Sequence, residues 1–141
     1  MSDKSTFKVA RHAVCFLLMN DDGLVLALSR GKDLGSWGMP GGKVEANESL
    51  NMALVRETYE ETGFVVANPQ AVYTAFVPGE INFICTTFIG QVVAAAEDAP
   101  RSWPFEGECK WVKPKVLVEG PFGDYNRSLF QEMNVDWRDQ E

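Results

Sequence analysis

Phe7 and Val9 alternate with Lys8 and Ala10, and after Arg11-His12 every residue from Ala13 to Met19 is apolar. Alternation that gives way to an unbroken apolar run predicts a long strand passing into full burial, with His12 as a strand residue rather than a catalytic one. Asn20-Asp21-Asp22-Gly23 is turn sequence and Leu24 to Leu28 is a second apolar run, so a hairpin or meander is expected there. Gly31 to Gly42 carries five glycines and Pro40, too many for a helix or a regular strand, and predicts a shaped loop. Asn47 to Thr62 is the long helical segment, with Asn47 as its cap, Glu48 in the first turn and Gly63 as the stop. Ala71 to Val77, Ile81 to Val93 and Cys109 to Val112 are rich in β-branched and aromatic residues and predict strands, separated by Pro78-Gly79 and by the polar stretch Glu97 to Glu108. Beyond the break at Gly120-Pro121, Asp124 is placed to cap a final helix with Leu129, Phe130 and Met133 on one face. With no repeat or linker, residues 1–141 read as one domain of mixed α and β order.

The long helix contradicts its own pattern. At ~100° per residue, Leu50, Ala53 and Leu54 share a face with Glu57, Glu60 and Glu61, so the face begins apolar and ends as three carboxylates. Met52, Val55 and Tyr59 form a second apolar group on the opposite side, which predicts that neither side is left to water. Anions are unfavourable in the last turns of a helix. At ~5 Å spacing and an effective dielectric of ~20, each like-charge pair costs on the order of 3 kcal/mol before screening. A sequence that accepts both penalties points to a cation. Clustered carboxylates without Cys or His select a hard divalent ion, Mg²⁺ or Mn²⁺. Pro40-Gly41-Gly42-Lys43, just ahead of the helix, lets backbone approach a ligand closely, and Lys43 is a point charge suited to phosphate.

Composition sharpens this reading. The chain has 13 Lys+Arg against 20 Asp+Glu, a formal net charge of −7. That excess disfavours a sequence-independent grip on nucleic acid backbones and leaves small phosphorylated ligands reached through a cation. Met1 to Thr6 lacks the apolar core of a signal peptide, and no stretch approaches the ~20 apolar residues of a membrane span, so a cytoplasmic address is expected. Cys15, Cys85 and Cys109 form no C-x-x-C pair and read as reduced structural thiols.

The spacing Gly42, five residues, Glu48, seven residues, Arg56-Glu57, two residues, Glu60-Glu61, one residue, Gly63-Phe64 resembles the signature of the Nudix hydrolases. Seven fixed identities at average residue frequencies of ~5–7% arise by chance on the order of 10⁻⁸ per starting position or less. Thr58 departs from the pattern, which has an aliphatic residue there, and this is expected to alter packing more than chemistry.

The resemblance implies an α/β/α sandwich with a mixed sheet and an enzyme that cleaves the pyrophosphate bond of a nucleoside diphosphate derivative by attack of a metal-activated water. It implies that Glu57, Glu60 and Glu61 hold one or more Mg²⁺ ions, with the Gly41 carbonyl as a further ligand. Arg56 would orient the carboxylates, at the i, i+4 spacing that permits an ion pair with Glu60, and Glu48 would be a salt-bridge partner or a supporting residue behind the ligands. The general base in this family differs among members; here it is Glu57, or a carboxylate from the loop before the late strand, Glu106 or Glu108.

The segment Trp37 to Lys43 is similar to that of the MutT-type nucleoside triphosphate pyrophosphatases, in which a polar residue near the start of the last helix reads the base. Asn126 occupies that region and either meets a purine edge or, like Asp124, caps the helix. Trp103, Phe105, Phe122 and Tyr125 are the loop aromatics available to stack a base, Trp37 is either wall or core, and Trp111 reads as core. The expected reaction is hydrolysis of a nucleoside triphosphate, oxidised purines among them, to monophosphate and pyrophosphate by a monomer or homodimer. An ADP-ribose or nucleotide-sugar hydrolase is the enzymatic alternative, with Pro78 roughly where that group carries a proline. A catalytically silent nucleotide-sensing domain is the alternative of another class, disfavoured by the intact glutamates and by the lack of an attached DNA-binding segment.

Overall fold

The computed structural model describes residues 9–30, 33–95 and 107–138. Among these the element order is β1 (Arg11–Phe16), β2 (Val25–Arg30), β3 (Asp33–Gly38), β4 (Gly41–Lys43), α1 (Leu50–Thr62), β5 (Phe64–Val77), β6 (Phe83–Ala95), β7 (Glu108–Val112), α2 (Pro114–Val118) and α3 (Gly123–Glu132). One sheet runs β4-β1-β6-β5 and a second runs β3-β2-β7. The first is mixed, because β1 lies parallel to β6 while β4 and β5 pair antiparallel to their neighbours. The protein thus has the mixed α and β order that its sequence pattern predicts and the mixed sheet that the family resemblance implies.

Two cores flank the sheets. Val14 and Phe16 leave β1 on one face and pack with Ala53 and Leu54 of α1 and with Val66 and Phe88. Val25, Ala27 and Val112 of the second sheet pack with Leu117 and Val118 of α2 and Leu129 and Phe130 of α3. α1 starts where Ser49 Oγ accepts from the Met52 amide at 3.1 Å, and it stops at Gly63, whose φ of 80° is the left-handed conformation that a side chain opposes.

Several expectations are corrected. The cap is Ser49 rather than Asn47, which adopts a positive φ of 63° outside the helix, so Glu48 precedes the first turn. The apolar run from Ala13 does not stay in one strand: β1 ends at Phe16, and Met19 is 38% exposed. The hairpin is confined to the turn: β1 and β2 belong to different sheets, and the segment after β1 meets β2 through the antiparallel Met19–Val25 bridge, with the Leu26 amide donating to the Leu18 carbonyl and the Asn20 amide to the Leu24 carbonyl, both at 2.9 Å. The glycine-rich segment forms strands β3 and β4, because glycine permits the close pairing that β4 needs: a Cβ on Gly41 would fall on the Val14 carbonyl oxygen and 2.8 Å from the Cys15 α-carbon. Asp124 does not cap α3; it lies in the first turn and pairs with Arg127 at 2.9 Å, while Phe122 occupies the cap position. Met52 and Tyr59 are exposed, so that side of α1 does face water. The helix α2, with Pro114 at its start, has no counterpart in the pattern reading.

Candidate active site

Arg56 is the hub of the carboxylate cluster. Its Nε donates to Glu48 Oε2 at 2.7 Å and its Nη2 to Glu48 Oε1 at 3.0 Å, a two-toothed fork across two turns of chain. Nη1 donates to both Glu57 Oε2 and Glu60 Oε1 at 3.2 Å, and Nη2 reaches the Lys43 carbonyl oxygen at 3.2 Å. The pair from Arg56 to Glu60 is the one the i, i+4 spacing permits. The guanidinium, helped by the Glu45 amide that donates to Glu48 at 2.9 Å, holds the Glu48 carboxyl down to about 2. The same fork raises the proton affinity of Arg56 further above its ordinary value.

Glu61 turns the other way. Its side chain is 7% exposed, and Oε1 accepts the Gly41 amide of β4 at 2.8 Å. Its charge also reaches β7: burial first, and then Glu61, push the Cys109 thiol up to about 11. Glu57 lies flat against the neighbouring glycine, where a Cβ on Gly42 would sit 2.7 Å from Glu57 Oε1 and closer still to its Cδ and Oε2. The two glycines therefore serve different needs. Gly41 lets β4 approach β1, and Gly42 makes room for a carboxylate. Among the described residues no three His, Cys, Asp or Glu side chains are already gathered at ligand distances, since Arg56 draws Glu57 and Glu60 while Gly41 holds Glu61.

On the far side of β4 a cavity of ≈ 310 Å³ opens between the two sheets and the start of α3. Its walls are apolar for the most part: Ala13 and Cys15 of β1, Phe83 and Cys85 of β6, Leu28, Trp37, Met39, Val77, Phe122 and Tyr125. Gly41, Gly42 and Lys43 line it as well, so β4 borders both the cavity and the carboxylates. Lys110 Nζ lies over the Trp37 ring, 4.6 Å from its centroid.

Asn126 is 2% exposed and lines the same cavity. Its Nδ2 donates to the Leu117 carbonyl at 3.1 Å, which fixes the amide and leaves Oδ1 buried without a partner. It does not cap α3. Tyr125 meets Tyr73 edge-on at 5.2 Å between ring centroids, and its hydroxyl contacts Thr87 and the Cys85 carbonyl.

Of the expected site residues, Gly41, Arg56, Glu57, Glu60 and Glu61 cluster at the α1–β4 junction, and Lys43, Phe122, Tyr125 and Asn126 line the cavity. Glu108 opens β7 opposite Ser29, is exposed and does not line the cavity. Trp103, Phe105 and Glu106 lie outside the described residues. Sequence reasoning missed Cys15, Phe83 and Cys85 as wall residues. Alternation along β1 separates Ala13 and Cys15 from Val14 and Phe16, and the parallel register sets Cys85 beside Ala13 in the cavity wall, a placement no local pattern reveals.

Comparison with known proteins agrees with this geometry. The family model described as NUDIX domain matches residues 9–133. Nudix hydrolase 25 of Arabidopsis thaliana is 46% identical over 142 residues, covering 82% of this chain and 79% of that protein. The uncharacterized Nudix hydrolase YvcI of Bacillus subtilis is 33% identical over 100 residues, 63% of this chain, and the chain spans only 61% of that relative's length. Among solved structures, the MutT protein from Methanosarcina mazei Go1 superposes with a TM-score of 0.67 at 30% identity, over 92% of this chain and 98% of that one. By its signature residues, its fold and these likenesses, the chain belongs to the Nudix domain family.

Proposed function

We propose that this protein is a Mg²⁺-dependent nucleotide pyrophosphatase that hydrolyses a nucleoside triphosphate, oxidised purines among them, to monophosphate and pyrophosphate. One observation carries the reading: β4 is shared by an apolar cavity of ≈ 310 Å³ on one side and a group of glutamates on the other. A nucleoside suits the first and a polyphosphate with its counter-ion suits the second, so a single short strand sets the distance between base and scissile bond.

The donor set fits a hard divalent cation. Glu57, Glu60 and Glu61 with the Gly41 carbonyl offer oxygen alone, and Glu61 is a carboxylate kept 7% exposed with one amide partner named above. Such an ion, when bound, neutralises phosphate charge and lowers the pKa of its water. The chain's own residues do the rest. Arg56 keeps Glu57 and Glu60 side by side and offsets their repulsion until the ligand arrives. Glu57, pressed against Gly42, takes the proton from the water that attacks phosphorus. Lys43 supplies a positive charge toward phosphate at the cavity's edge.

Base recognition falls to Asn126. One Nδ2 hydrogen is committed to Leu117 and Oδ1 is the buried atom left without a partner, so the residue favours a base that brings an N–H to that oxygen, as the Watson–Crick edge of guanine does. Trp37, Phe122 and Tyr125 offer ring surface around that contact. The test is a panel of ordinary and oxidised nucleoside triphosphates, nucleotide sugars and dinucleoside polyphosphates, with products identified by ³¹P NMR. Release of pyrophosphate from triphosphates supports the proposal. Preferential cleavage of a nucleotide sugar, or binding without hydrolysis, would replace it with the hydrolase or sensing alternative.

A further inference from the structure

Four groups run in a line beneath the cavity. Cys15 Sγ lies 3.0 Å from Thr87 Oγ1, Thr87 Oγ1 lies 2.7 Å from the Tyr125 hydroxyl, and that hydroxyl lies 3.2 Å from the Cys85 carbonyl oxygen. The hydrogens available fix the direction of the line. A carbonyl has none to give, so Tyr125 donates its single hydrogen to Cys85. The Tyr125 oxygen therefore accepts from Thr87, whose only hydrogen is then used, and Thr87 accepts from the Cys15 thiol. The donor at the far end keeps its hydrogen at neutral pH, because burial pushes the Cys15 thiol up to about 12. Bonds linked in this way in a low-dielectric interior strengthen one another.

The chain joins β1 and β6 of the sheet to α3. Apart from it, Tyr125 meets the sheet through the edge-on ring contact with Tyr73, which fixes distance less strictly than a hydrogen bond. Asn126 follows Tyr125 directly, and Thr87 is fully buried and is not a wall residue of the cavity. We infer that the directed line from Cys15 through Thr87 to Tyr125 sets the depth of α3 against the sheet and so aims the Asn126 acceptor, making Thr87 a positioning residue for base selection that touches no substrate. The inference rests on the base-reading role proposed for Asn126.

Thr87→Val removes donor and acceptor at nearly constant volume, and Thr87→Ser keeps the hydroxyl. Both are compared with Asn126→Ala in steady-state kinetics on dGTP, dATP, dCTP and dTTP. Thr87→Val is expected to raise KM for the preferred nucleotide about fivefold, the size of one net hydrogen bond, to narrow the kcat/KM ratios among the four, and to leave kcat nearly unchanged. Thr87→Ser is expected to restore KM and the ratios. Unchanged ratios in Thr87→Val, or a Thr87→Ser variant as impaired as Thr87→Val, would overturn the positioning role. Should Thr87→Val fail to fold, Tyr125→Phe interrupts the same line and is read by the same ratios. If Asn126→Ala alters base preference and Thr87→Val does not, only the positioning role falls. If Asn126→Ala leaves preference intact, the base-reading role falls and takes this inference with it.

Discussion

Gly42→Ala separates what the fold needs from what the chemistry needs. The new Cβ would lie 2.7 Å from Glu57 Oε1 and closer to the rest of the carboxyl group. Ordinary non-bonded contact begins near ~3.5 Å, so the carboxylate must retreat by at least ~0.8 Å. The atoms in the way are the tip of a flexible side chain, and the φ of Gly42 is not positive, so the backbone tolerates alanine. Stability should therefore fall by no more than ~1–2 kcal/mol, at the low end of overpacking costs. A displacement approaching ~1 Å at a catalytic group costs on the order of 10²-fold in rate. Urea denaturation and kcat/KM for the best nucleotide, measured on one preparation, give the two numbers. A large activity loss with a nearly native midpoint fits the account. Full activity in Gly42→Ala would refute the placement of Glu57 at the reaction centre.

Other outcomes follow from the same geometry. Glu60→Gln and Glu61→Gln should each lower turnover by orders of magnitude with circular dichroism unchanged, and near-normal turnover would remove that residue from the ion site. Thr58→Val should stabilise the protein by about 1 kcal/mol in urea, because the Thr58 hydroxyl is buried without a hydrogen-bond partner; a loss of stability would mean the hydroxyl is satisfied. Glu48 has its folded pKa depressed to about 2. Its stabilising effect is thus complete above the unfolded carboxylate value near ~4.3 and is lost as pH falls toward 2, so acid unfolding of Glu48→Gln should show a shallower slope in that window.

The parts of the molecule that the sequence revealed are those built from neighbouring residues. α1 was legible because Leu50, Ala53 and Leu54 repeat at helical spacing and Gly63 ends the run, and the carboxylates followed because they sit on the same helix. The cap was misplaced because Asn47 and Ser49 are both good caps, and only the Ser49 hydroxyl reaches an amide. β3 and β4 were hidden by glycine, which as a local signal says turn; here it answers a demand from the Val14 and Cys15 backbone. The cavity could not be read in advance, since its floor depends on β1 lying parallel to β6 across more than half the chain. Thr58 shows the limit in another way: its departure from the signature was visible, while its orphaned hydroxyl was not.

If one short strand joins a cation site to a nucleoside cavity, a single NMR titration detects both sides of it. Mn²⁺ added to ¹⁵N-labelled protein should broaden the amide signals of Gly41, Gly42, Glu60 and Glu61 first. A non-hydrolysable triphosphate should then tighten Mn²⁺ binding and shift the Asn126 side-chain amide. Broadening centred elsewhere, or a nucleotide that moves Asn126 without affecting the ion, would contradict it.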